Sequence, residues 1–151
     1  MTVLFICKGN ICRSPMAMAL CRHIARERRV TVEAVSAGYH DWDSSSHDAH
    51  TFARQAIQKL CGSDLLADHV ASRWTPEMAQ SADLVVVAEQ WMKADFPEDK
   101  VVTMREVAGR VGDVEDPYGG DYAVFLECAA EIRELLLQGW DLLTCGEAHC
   151  P

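Results

Sequence analysis

Val3-Leu4-Phe5-Ile6-Cys7-Lys8-Gly9-Asn10-Ile11-Cys12-Arg13-Ser14-Pro15 holds a complete strand-to-helix turn, and the rest of the chain is read outward from it. Val3 to Ile6 is an apolar, β-favouring run that stops at Cys7. Lys8 to Cys12 forms a glycine-containing turn. Ser14-Pro15 is expected to open a helix, with serine as the cap and proline near the position where its missing N–H costs nothing. Met16, Ala19, Leu20, His23 and Ile24 then recur at helical spacing up to the Arg26–Arg29 cluster, whose charge suits a helix C-terminus.

The same alternation continues downstream. Val30 to Ser36 reads as a second strand closed by Gly38, and Tyr39 to His50 as a polar exposed loop. Helices are expected over His47–Leu60 (stopped by Gly62), Pro76–Ser81 and Gln90–Phe96. Leu84-Val85-Val86-Val87 is a fully buried strand, and Val101-Val102 a shorter fourth. Arg110 to Gly120 is a loop, and Tyr122 to Leu143 a last helix striped by Phe125, Ala129, Ile132, Leu135 and Leu136. Neither a repeat nor a linker divides the chain, so residues 1–151 read as a single domain. Strands alternating with helices call for an α/β fold, a parallel sheet covered on both faces. Ligands of such sheets bind beyond the carboxyl ends of the strands, where the first strand places Cys7.

Composition narrows the function. The chain has 151 residues, 49% of them apolar, and carries 14 basic against 23 acidic residues for a net charge of −9. A body this acidic is unsuited to nucleic acid or anionic lipid. It has no apolar run near the ~20 residues a membrane span needs, and its start is too short for a signal peptide. The expected setting is cytoplasmic, and the expected state a monomer. Seven cysteines (Cys7, Cys12, Cys21, Cys61, Cys128, Cys145 and Cys150) are an odd number, which points to reduced thiols rather than a disulfide framework. Cys145, His149 and Cys150 lack metal-site spacing, and no metal is expected.

The turn carries the chemistry. Backbone N–H groups from Cys7 to Ser14, with the positive end of the following helix, make a nest for an anion. A Cys7 thiol facing those donors and Arg13 is expected to be a thiolate nucleophile. Arg13 can clamp two oxygens of a tetrahedral oxyanion such as phosphate. Gly9 allows close backbone approach, Asn10 tolerates a left-handed conformation, and Ser14 can donate to the thiolate. Lys8 adds positive potential at the mouth. Asp116, before Pro117 on a glycine-flanked loop, is the acid that could protonate a leaving group and later activate water. Tyr39, Trp42 and Tyr118 are candidates for an aromatic rim, with Tyr118 the best placed. Trp74, Trp91 and Trp140 read as packing residues, and Cys21 and Cys128 as small hydrophobes.

The run from Cys7 to Pro15, together with Ser36-Ala37-Gly38, His69-Val70-Ala71, Ala82-Asp83-Leu84 and Asp116-Pro117-Tyr118-Gly119, resembles the low-molecular-weight protein tyrosine phosphatase family over nearly the whole chain. The resemblance implies a three-layer sandwich around a four-stranded parallel sheet. It implies a phosphocysteine on Cys7, Arg13 as transition-state clamp and Asp116 as acid and then base. Lys8, Gly9, Asn10, Ile11, Cys12, Ser14 and Tyr118 would surround the phosphate of a phosphorylated protein substrate. Asn10, Ser14, Ser36 and His69 would form the network holding the loop, and Cys12 could pair with Cys7 under oxidation. No cofactor is implied.

Three other functions compete. Gly112 to Gly120 looks like the protein-arginine phosphatase branch of this scaffold, but Ile11 stands where that branch has a small polar Thr, which favours an aryl phosphate. An arsenate reductase would want a thiol pair after the third strand. None lies between Ser63 and Phe125, so Cys61, Cys128 or the tail would have to serve. A non-catalytic phosphate-binding module could dispense with Cys7 or Asp116, yet both are present.

Overall fold

A computed structural model describes residues 1–41 and 47–145, with the side chain of Cys145 outside the description. Trp42, His149 and Cys150 therefore lie outside the described residues. Four parallel strands, β1 (Thr2–Cys7), β2 (Glu33–Gly38), β3 (Leu84–Val87) and β4 (Val101–Thr103), form one sheet in the order β2-β1-β3-β4. β1 is central, and Val3, Leu4, Phe5 and Ile6 are each 0% exposed. Successive strand side chains point to opposite faces, so both faces of the sheet are covered. The expected α/β architecture with its four-stranded parallel sheet is the one observed.

α1 (Arg13–Arg28) follows β1, packs on β1 and β2, and is covered in turn by α2 (Thr51–Cys61) and α5 (Tyr122–Gln138). α3 (Pro76–Ser81) approaches β1, and α4 (Met104–Val107) closes on β3 and β4 beneath α5 and α6 (Trp140–Cys145). Among the described residues no helix is long and apolar enough to cross a membrane.

Several boundaries differ from the sequence reading, each for a local reason. α1 begins at Arg13 with Cys12 as its N-cap and no side-chain cap, because the Ser14 hydroxyl is used elsewhere. Its end overruns into a left-handed Arg29, and the Val30 N–H returns to the Ala25 carbonyl, so β2 starts at Glu33 rather than Val30. α2 starts at Thr51, not His47. Asp48 makes an isolated bridge to Val70, and His50 becomes the N-cap, accepting the Phe52 N–H on Nδ1. Gln90–Asp95 is a 3-10 helix.

α4 escaped the sequence reading, although Thr103 and Glu106 form a reciprocal capping box there. The last helix is two helices. At Gly139 a Cβ would stand 2.0 Å from the Val107 carbonyl oxygen, so the chain passes α4 only without a side chain and turns there.

Candidate active site

Backbone accounting shows how the loop after β1 is built. The Cys7 carbonyl accepts the Tyr39 N–H, Lys8 the His40 N–H, Ile11 the His50 N–H and Cys12 the Met16 N–H, at 2.7 to 3.2 Å. The Asn10 carbonyl accepts from His69 Nε2 at 2.8 Å. Each of these carbonyls is held by a group outside the loop or by the helix. In a trans peptide the next N–H points the opposite way, so the amides of Lys8, Gly9, Ile11, Cys12 and Arg13 are turned to the loop's interior. The first turn of α1 adds N–H groups with no side-chain cap. Gly38 lets β2 come this close: a Cβ there would meet the Gly9 carbonyl carbon at 3.1 Å and the Asn10 nitrogen at 3.3 Å.

Asn10 is the keystone. It is 0% exposed and left-handed at φ 60°, as its type permits. Its Nδ2 donates to Ser14 Oγ at 2.8 Å and to Ser36 Oγ at 3.0 Å, and its Oδ1 accepts the Ser72 N–H at 3.1 Å. Ser14 Oγ lies 3.0 Å from Cys7 Sγ and 3.3 Å from the Ala37 carbonyl. The Asn10 amide occupies a lone pair of the serine, whose one hydroxyl proton is left for the Ala37 carbonyl or the sulfur. Burial favours a neutral His69, lowering its pKa against the opposing effect of its bond to Asn10, and the neutral ring donates through Nε2.

Arg13 is 1% exposed. Its Nη1 donates to the Val114 carbonyl at 2.7 Å, and its Nη2 pairs with Glu89 at 2.9 Å and with Asp116 at 3.6 Å. Burial works against its charge, but Cys7, Asp116 and Glu89 together outweigh it and raise the pKa. Its Nε–H is buried and has no hydrogen-bond partner among the described residues. A buried guanidinium N–H left open is costly unless a ligand supplies an acceptor. Asp116, with a side chain 39% exposed, takes the Tyr118 N–H on Oδ1 at 3.1 Å.

Cys7, Lys8, Gly9, Ile11, Cys12, Arg13, Asp116 and Tyr118 line one cavity of about 210 Å³. Asn10, Ser14, Ser36 and His69 stand behind it. The structure thus brings the residues expected at the nucleophile, clamp, acid and phosphate loop to one cavity, with those expected to support the loop behind it; of the aromatic rim candidates only Tyr118 lines it. Cys7 and Cys12 are both free thiols, and burial above all, then Cys7, raises the Cys12 pKa. Three partners escaped the sequence reading: Glu89, the Val114 carbonyl and His50. His50 stacks on Phe125 at 4.4 Å and meets Tyr118 edge-on at 5.9 Å, so it backs both Ile11 and the rim tyrosine. Tyr39 is not in the cavity wall. It packs instead against His40 and Trp91, and its hydroxyl donates to Asp95. Cys128 is a buried thiol pushed up to about 12 by burial, and Cys21 likewise. No metal-binding cluster occurs among the described residues.

Residues 2–143 match the family model described as low molecular weight phosphotyrosine protein phosphatase. The protein-arginine-phosphatase of Bacillus subtilis is 37% identical over 145 residues, covering 91% of this chain and 93% of that protein. The low molecular weight protein-tyrosine-phosphatase PtpB of Staphylococcus aureus is 25% identical, covering 95% and 99%. The crystal structure of a low molecular weight protein tyrosine phosphatase from T. tengcongensis superposes with a TM-score of 0.84 at 35% identity, covering 91% of this chain and 96% of the other. With its four-stranded sheet and its inward-facing amide loop after the first strand, this chain belongs to the low molecular weight phosphotyrosine protein phosphatase family.

Proposed function

We propose that the protein hydrolyses phosphotyrosine in phosphorylated proteins, with Cys7 as nucleophile, Arg13 as phosphate clamp and Asp116 as acid and base. The observation that carries this reading is the ring of inward amides around Cys7, completed by the unpartnered Nε–H of Arg13. A phosphate dianion seated there satisfies those donors and presents phosphorus to the sulfur. The Cys7 thiolate attacks phosphorus, the bond to the tyrosine oxygen breaks, and that oxygen takes the Asp116 proton. The Asp116 carboxylate then removes a proton from water as the water oxygen attacks phosphorus. The S–P bond breaks, releasing phosphate and restoring the thiolate. Ser14, oriented by Asn10, donates to the sulfur as it leaves.

Ile11 supports the choice of substrate. It is 7% exposed and forms part of the cavity wall, with the half-exposed Tyr118 ring at the mouth. A tyrosine ring loses nothing against this apolar wall, whereas a phosphoguanidine would leave N–H groups facing Ile11 without acceptors. The second reading, phosphoarginine, is favoured by the Bacillus subtilis relative and by the Asp116 carboxylate at the mouth. Turnover of paired phosphotyrosine and phosphoarginine peptides decides between them, and faster turnover of phosphoarginine would reverse the choice. Asp116→Asn tests the acid. It should slow an alkyl-like leaving group by orders of magnitude and slow an activated aryl phosphate far less. Equal losses on both would remove Asp116 from that role.

A further inference from the structure

Beside the catalytic cavity lies an aromatic ledge that no step above uses. Tyr39, His40 and Trp91 form it. Tyr39 and Trp91 meet edge-to-face at 4.8 Å, His40 stacks with Trp91 at 6.0 Å and 26°, and Tyr39 and His40 are perpendicular at 4.9 Å. The cluster is anchored to the site from two directions. The Tyr39 and His40 amides hold the Cys7 and Lys8 carbonyls, and Trp91 follows by two residues the Glu89 that pairs with Arg13. Gln90, between them, donates its N–H to Asp113, three residues before Asp116.

Trp91 is 46% exposed, so part of its ring surface is open to a ligand. Carboxylates accompany the cluster and its turn. Exposed Asp95 accepts the Tyr39 hydroxyl, exposed Asp113 caps the turn at Gln90, and exposed Asp41 follows His40, against the cations Lys8 and Arg73. The chain as a whole carries −9.

A half-exposed indole accompanied by carboxylates, on a cluster whose backbone is bonded to the loop that would hold the phosphate, suits a guanidinium or ammonium laid against the exposed part of the ring. We infer that the Tyr39–His40–Trp91 ledge is a docking subsite for an arginine or lysine side chain flanking the phosphorylated residue of the substrate, and so selects basic phosphoprotein segments. The inference rests on the phosphatase reading of the neighbouring cavity. The Tyr39 and His40 backbones are bonded to the loop of that cavity, and the carboxylates held by the cluster and its turn complement the charge of the occupant.

The test is a set of phosphotyrosine peptides that differ only in the residues flanking phosphotyrosine: arginine, lysine, alanine, glutamate or phenylalanine. Each kcat/KM is divided by that for p-nitrophenyl phosphate on the same preparation, which normalises for folding. The native protein should prefer arginine over alanine by about three- to tenfold and disfavour glutamate. Trp91→Ala should bring the arginine-to-alanine ratio close to one, and Trp91→Phe should retain part of it. A native ratio of one, a ratio that survives Trp91→Ala, or a preference for phenylalanine over arginine would each overturn the inference. If the protein turns over p-nitrophenyl phosphate and phosphoarginine peptides but not phosphotyrosine peptides, the substrate reading fails instead. The same flank series on phosphoarginine peptides then puts the same question to the ledge.

Discussion

Replacing Asn10 separates the loop's architecture from its chemistry. In Asn10→Ala three side-chain bonds disappear, but their surroundings differ. Ser72 is exposed and Ser36 half-buried, so water can replace the lost partner at both, and each bond counts for about 0.5–1 kcal/mol. Ser14 is fully buried, and losing the donor to its oxygen costs about 1–3 kcal/mol. Alanine at φ 60° adds about 1–2 kcal/mol of left-handed strain.

The sum is roughly 3–7 kcal/mol, a large share of the ~5–15 kcal/mol by which a domain is stable. Asn10→Gly loses the same bonds but escapes the strain, offset by about 0.5–1 kcal/mol of extra unfolded-chain entropy, so it should be milder by up to about 1.5 kcal/mol. Asn10→Asp tolerates the same backbone but supplies acceptors where the amide donated. The Ser14 proton then turns from the sulfur to the carboxylate, and a negative charge joins the thiolate. Urea unfolding should place the aspartate variant well above the alanine variant in stability. Turnover of p-nitrophenyl phosphate should nonetheless fall at least tenfold, because a hydrogen bond to a charged sulfur contributes about 1.5–3 kcal/mol. Native-like unfolding of Asn10→Ala, or full activity of Asn10→Asp, would refute the role given to this network.

Glu89→Gln removes the main ion partner of Arg13 while keeping a hydrogen-bond acceptor, and Glu89 is a quarter exposed. A discounted ~1 kcal/mol corresponds to a roughly fivefold lower kcat, with inhibition by inorganic phosphate undiminished; parallel weakening of phosphate inhibition would mean that Glu89 supports the whole loop. Burial lowers the pKa values of His69 and His50 from 6.5, so the unfolded chain takes up protons first on acidification. Their stabilising effect is complete above about pH 6.5 and is lost as pH falls from there toward the folded values, by at most about 1.4 kcal/mol per pH unit for each histidine. Urea midpoints at pH 7.5 and 5.0 should show this, and His69→Gln should shallow the slope. Gly139→Ala drives a Cβ onto the Val107 backbone and should destabilise by about 1–3 kcal/mol or more, with little direct effect on KM.

What the sequence made legible, and what it did not, follows from how far apart the interacting groups lie along the chain. Cys7, Asn10, Arg13 and Ser14 could be read because a strand, a tight turn and a helix start are local patterns, and because the chemistry of one loop needs its residues in one order. Asp116 and Tyr118 were reachable through a short loop bounded by proline and glycine. Ser36, His69 and Cys12 took their roles only from the family resemblance, since nothing in their neighbours marks them. Glu89 and the Val114 carbonyl carried no mark at all. A glutamate after a buried strand looks like any surface acid, and a carbonyl 101 positions from its arginine has no sequence signature.

The helix boundaries failed where tertiary contacts override local propensity. Val107 breaks the last helix at Gly139, and Val70 holds Asp48 out of α2. The same reasoning explains the conformation of the loop. Its carbonyls are held by residues 39, 40, 50 and 69, segments that follow β2, precede α2 and precede α3. An inward ring of amides is therefore not a property the loop could keep as an isolated peptide. It exists because four distant donors turn the carbonyls outward, so substitutions that loosen any of those segments should weaken oxyanion binding without touching a residue of the cavity wall.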